Sequence, residues 1–102
     1  MSIDSMALRL SAQRLFPDLE LDEVLVELLL ERAQKNLVKY RTMARQFTAK
    51  YGEDFETWRQ TVLGSEPAFE AEQDYFDWEM AVTGIADMLE EIEQLQRLKQ
   101  QS

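Results

Sequence analysis

Two apolar seams with the same spacing limit this chain more than any other feature of its sequence. In the first half, Val26, Leu30, Ala33, Leu37, Tyr40, Ala44, Phe47 and Tyr51 fall alternately four and three residues apart. In the second half, Ala71, Tyr75, Trp78, Val82, Ile85, Leu89 and Ile92 repeat that spacing, and Ala81, Met88 and Leu95 make a stripe beside them. A mean step of 3.5 residues keeps one side of an α-helix against a neighbour over many turns. Two such seams predict two long helices that pack on each other.

The breaks between helices can be read from a few residues, because the 102-residue chain holds only three glycines and two prolines. Pro17 disfavours helix at Phe16, so residues 1–17 are expected as a short helix or an arm. Asp18 or Asp22 can cap a first long helix over 18–51, with Glu20 and Glu23 at its positive end. Gly52 suits its left-handed C-terminal cap. Asp54 can cap a short helix over 54–63, ended by Gly64. Ser65 can then cap a last helix over 65–98, with Pro67 tolerated in the first turn. Gly84 inside that helix costs roughly 1 kcal/mol relative to alanine, unless it permits a close crossing.

The expected fold is all-α and a single domain over 1–102: an antiparallel hairpin of two long helices with a short connecting helix. Leu25, Leu28, Leu29, Val38 and Met43 widen the first apolar arc beyond what one neighbour covers. A second neighbour is therefore expected: the N-terminal arm, another protein, or another subunit. The expectation is a homodimer that forms a helical bundle.

Charge supplies the topology. Between Arg32 and Lys50 every charged residue is basic: Arg32, Lys35, Lys39, Arg41, Arg45 and Lys50. Between Glu53 and Glu79 only Arg59 interrupts a run of acids. Folded back as a hairpin, the basic half of one helix lies beside the acidic half of the other. Burial drives such a pairing and flanking charge selects its direction, since each exposed ion pair contributes only ~0–1 kcal/mol.

Composition removes several chemistries. The chain has no cysteine and no histidine, which excludes thiol catalysis, His-based triads and the usual zinc sites. No glycine-rich phosphate loop is present. A net charge of −9 argues against direct nucleic-acid binding, which needs clustered cations. No run approaches the ~20 apolar residues of a membrane span, and the N-terminus lacks the basic-then-apolar order of a signal peptide. A cytoplasmic location without membrane attachment is expected. Glu66, Glu70, Asp74 and Asp77 share one helical face and could hold Mg²⁺, as in all-α nucleotide pyrophosphohydrolases, but the double-glutamate motif of those enzymes is missing. No catalytic residue, metal or cofactor is assigned.

The string FTAKYGEDFETW, followed by EAEQDYFDWEMAVTGIADMLEEIEQL, resembles a pattern of small helical proteins of prokaryotic toxin–antitoxin gene pairs. Phe47, Lys50, Tyr51, Gly52 and Phe55 carry it, then Asp74, Tyr75, Phe76, Trp78 and Glu79, then Ile85 and Leu89. The resemblance spans roughly residues 43–95; the first forty residues are longer and more apolar than the pattern. It implies two long helices joined by a short one, and the antitoxin role.

The reading that follows is a non-enzymatic interaction module, antitoxin-like, binding a basic protein such as a toxin encoded nearby. The expected contact residues are Glu70, Asp74, Asp77 and Glu79 for charge, with Phe69, Phe76, Trp78 and Met80 as apolar anchors. The alternatives are the Mg²⁺-dependent hydrolase and a structural helical subunit without ligand.

Overall fold

The computed structural model describes residues 2–101. The chain is all-helical there, with four helices: α1 (Ser5–Leu15), α2 (Leu21–Tyr51), α3 (Phe55–Leu63) and α4 (Phe69–Gln100). The long helices α2 and α4 pack together, α3 lies on α4, and α1 touches α2. Residues rising along α2 meet residues falling along α4: Glu27 is beside Lys99, Leu30 beside Leu95, Tyr40 beside Gly84, and Lys50 beside Asp74.

Local chemistry explains most of the ends. Asp4 caps α1, accepting from the backbone N–H groups of Met6 and Ala7 at 3.1 and 3.2 Å. Gly52 ends α2 at φ 72°, its N–H donating to Thr48 O at 2.8 Å. Only a residue without Cβ holds that left-handed conformation at no steric cost. Asp54 caps α3 by accepting from the Thr57 N–H at 2.8 Å.

Two helix starts differ from the sequence expectation. The first long helix begins at Leu21 and not at Asp18, and neither Asp18 nor Asp22 is its cap. Leu19 N–H donates to Phe16 O at 3.2 Å, which holds residues 16–19 in a turn after Pro17. The carboxylate of Glu23 instead accepts from the Glu20 N–H at 3.2 Å, satisfying a donor that the first turn leaves open. The last helix begins at Phe69 and not at Ser65. Ser65 is used by α3: its N–H and its Oγ both donate to Val62 O at 3.3 Å. Pro67 then holds Glu66 out of the α region, so the chain runs extended to Ala68. At its other end the last helix runs to Gln100, two residues beyond the expected end at residue 98.

The core has two parts. At one end Trp58, Val62 and Trp78 are buried, with Ala44, Phe47, Tyr51, Phe55, Ala71 and Tyr75 packed around them. At the other end Leu30, Ala33 and Leu95 are buried, with Val26, Met88 and Ile92 against them. Between the two, the Tyr40 ring lies on Gly84. A Cβ at residue 84 would stand 2.7 Å from that ring, so the glycine is what lets the tyrosine in.

That approach also moves the seam of α4. Ala81, Gly84 and Leu95 are buried, whereas Val82 and Leu89 of the expected seam are 38 % and 46 % exposed. The contact follows the small residues because they allow the helix axes close together.

Candidate functional site

The aromatic end is organised by Trp78, which is 1 % exposed. Its ring stacks near Phe47 and Tyr51, at centroid distances of 5.6 and 5.9 Å, and tilts against Phe55 and Trp58 at 5.3 and 5.2 Å. Such pairs each add about 0.5–1.5 kcal/mol beyond the area they bury. Trp78 is thus a core residue. The anchor role expected for it is corrected: the side chain is enclosed by α2 and α3 and offers no surface to a partner.

A polar clasp closes over this core. Lys50 Nζ donates to Asp74 Oδ2 at 2.6 Å and to Glu70 Oε1 at 2.7 Å, and the Tyr51 hydroxyl donates to the same Asp74 oxygen. The Lys50 bond, with that from Tyr51 behind it, holds the Asp74 carboxyl below the usual carboxylate range. Burial, then the bond to Asp74, pushes the Tyr51 phenol up. Arg59 Nε reaches the Tyr75 hydroxyl at 3.3 Å and ties α3 into the same region.

Glu70 and Asp74 therefore serve the fold: their oxygens meet Lys50 of the chain itself, and the Asp74 side chain is only 14 % exposed. Asp74 is thereby taken from the expected partner surface, whereas Glu70 pairs with Lys50 while its side chain stays 78 % exposed; on the proposed Mg²⁺ face both carboxylates meet Lys50. No group of three or more acids among the described residues is arranged to hold a metal ion.

The expected charge ladder between α2 and α4 is also much shorter than read. Lys50 crosses to α4 at one end, and Lys99 reaches Glu27 at 2.7 Å at the other. Lys35 pairs within its own helix, with Glu31 at 3.1 Å. Among the described residues, Arg32, Lys39, Arg41 and Arg45 make no ion pair, and neither do Glu72, Asp77, Glu79 and Asp87. These groups project from the outer sides of their helices, where the other long helix cannot reach them.

Phe69, Phe76, Asp77, Glu79 and Met80 remain on the surface. Phe76 and Met80 are 55 % and 51 % exposed. Phe76 meets only the edge of Tyr75, at 5.6 Å, among the described rings. Phe76 and Met80 line an open groove with Tyr40, Thr83 and Gly84, and Glu79 and Asp87 give it an acidic rim. Phe69 starts α4 and stands well clear, 77 % exposed. The structure so brings Phe76, Glu79 and Met80 together and separates them from Glu70, Asp74 and Trp78. Sequence reasoning missed Tyr40, Thr83 and Asp87 as members of the groove. The spacing places Tyr40 in the seam, and only the missing side chain at residue 84 lets its ring lie against α4 beside Phe76 and Met80.

Such a groove can hold an apolar side chain on its floor and a cation at its rim. No helix among the described residues is long and apolar enough to cross a membrane. Comparison with known proteins finds no matching family model, no matching curated protein and no matching solved structure.

Proposed function

We propose that this protein is a non-enzymatic interaction module of the antitoxin-like kind, acting in the cytoplasm. In this reading α2 and α4 form an antiparallel hairpin with α3 as the connection, the hairpin self-associates, and its acidic aromatic face takes a basic protein. The observation that carries the proposal is the groove of Phe76 and Met80 under Glu79 and Asp87. Large apolar side chains are held open there beside carboxylates that make no ion pair among the described residues. Exposed aromatic and Met side chains in a concave site are what a partner buries, and unpaired charge around them speeds its approach.

The test is capture of the product of a neighbouring gene by the tagged protein. Phe76→Ala combined with Asp77→Lys should reduce that affinity at least tenfold and leave the helical circular dichroism unchanged. Full retention of binding by this double variant would remove the assigned surface.

A further inference from the structure

We infer that the groove on α4 is filled by α2 of a second copy of this chain, the two copies packing end-for-end about a twofold axis near Asn36. The inference rests on the interaction reading above and names the first occupant of that surface.

The shape of the protomer supports it. Its extents are 58 × 34 × 18 Å and its radius of gyration is 19.7 Å, against about 13 Å for a compact domain of about this length. Its accessible surface is 7918 Å², about 1,900 Å² more than a globular chain of this mass shows. A standard interface takes only about 800 Å² from each partner. Among the described residues sixteen large apolar side chains are exposed and nine apolar ones form the core. A single layer of helices cannot hide them, so a second layer is needed.

The placement of the patches says what that layer is. Leu29, Asn36 and Tyr40 stand at i, i+7 and i+11 and so lie along one line of α2. Tyr40 is a wall of the α4 groove. Leu29, with Leu25 and Leu28, forms an exposed apolar patch edged by Arg32 and by the Glu31–Lys35 pair. Both patches therefore open on the same broad face, one toward each end, with half-buried Asn36 between them. Leu29 and Tyr40 are about 17 Å apart along the helix at 1.5 Å per residue.

Charge then selects the orientation. With Lys35 paired to Glu31, the leucine patch keeps Arg32 as its unpaired cation while the groove carries Glu79 and Asp87, so stacking like on like would leave these charges unmatched. Turning the second copy end for end places its leucines in the groove and its Arg32 beside Asp87, and symmetry repeats both contacts. A foreign basic protein that uses this groove competes with the second copy, so its binding is coupled to dissociation.

The chain has no cysteine, so introduced thiols report cleanly. Light scattering should give twice the 12.0 kDa of one chain. Asn36→Cys should cross-link to itself on mild oxidation. Leu28→Cys should cross-link with Met80→Cys when the two variants are mixed, and not with itself. Arg32→Glu should weaken association at least tenfold, and Asp87→Arg added to it should restore most of the loss.

A monomer at the highest attainable concentration, a dimer in which Asn36→Cys stays uncross-linked, or Leu28→Cys joining to itself would each overturn the inference. A monomer that still captures a basic protein through Phe76 would overturn the self-association and leave the interaction reading standing. A dimer built as described that captures no foreign protein would support the self-association and remove the foreign partner.

Discussion

The two ends of this molecule are built from the same pair of helices, yet one is closed and the other open. At the aromatic end α3 lies over the pair, so Trp78 has neighbours on every side and Asp74 is clasped by Lys50 and Tyr51. At the leucine end Val24, Leu30, Ala33 and Leu95 are buried, all aliphatic side chains with no ring among them. There α1 rests on α2 with no buried residue of its own, and Leu25, Leu28 and Leu29 stay exposed. Two helices shield only the strip between them; a third element is what turns a strip into a core. The aromatic end has that element in α3, whereas at the leucine end α1 covers only part of α2 and leaves Leu25, Leu28 and Leu29 open.

The strongest way to break this comparison is to remove the centre of the closed end. Trp78→Ala should cost about 3–5 kcal/mol, a large share of the roughly 5–15 kcal/mol of a whole domain. Urea denaturation would show it as a collapse of the transition midpoint. Leu95→Ala at the open end should cost about 2–3 kcal/mol, toward the lower part of the range for such truncations because the site can relax toward solvent. Equal losses at the two ends would remove the distinction.

The junction between the ends should respond next. Gly84→Ala drives a methyl into the Tyr40 ring and should cost about 1–3 kcal/mol. A smaller residue at position 40 should recover part of that loss, a coupling that a double-mutant cycle in urea would measure.

The clasp should then show itself through pH. The carboxyl of Asp74 is held below its unfolded value, so its contribution is complete above about pH 4 and is lost as pH falls through the lower folded value. Asp74→Asn should therefore cost about 1–2 kcal/mol at neutral pH and flatten the acid limb of the stability profile. Denaturation midpoints from pH 7 to pH 3 would follow both effects. Parallel acid limbs for the variant and the wild type would show that the carboxylate is not the group that titrates.

The smallest effect belongs to the open end's surface. Arg97 and Glu93 pair on the outside of α4, and Glu93→Gln should change stability by less than about 0.5 kcal/mol, within the scatter of a careful denaturation curve. Hydrogen exchange sharpens the same contrast: amides around Trp78 should be protected independently of protein concentration, whereas those near Leu28 should slow as concentration rises.

Much of the architecture was legible because its causes are local. The 3.5-residue repeat, the cap at Asp54 and the stops at Gly52 and Gly64 depend on residues a few positions apart. The starts at Leu21 and Phe69 were misread because Ser65 and Asp18 look like caps in isolation. One is recruited by the carbonyl of Val62 and the other lies in the turn after Pro17. Of the surface residues, Phe76 and Met80 were recognisable as lying off the seam. That Glu70 and Asp74 belong to a clasp was not, since both sit in the same acidic run as Asp77 and Glu79.

The sequence by itself determined that there are two long helices, where most of their ends fall, and that they carry more apolar surface than one partner helix covers. The tertiary structure alone decided which of two adjacent stripes on α4 became core. Ala81, Gly84 and Leu95 prevailed over Val82 and Leu89 because a small residue at 84 admits Tyr40, and helices settle where their surfaces interlock most closely. It also decided which charges are satisfied. An ion pair needs its partners within about 4 Å, and the outward-pointing arginines and acids of α2 and α4 are carried beyond that reach by the turn of their own helices.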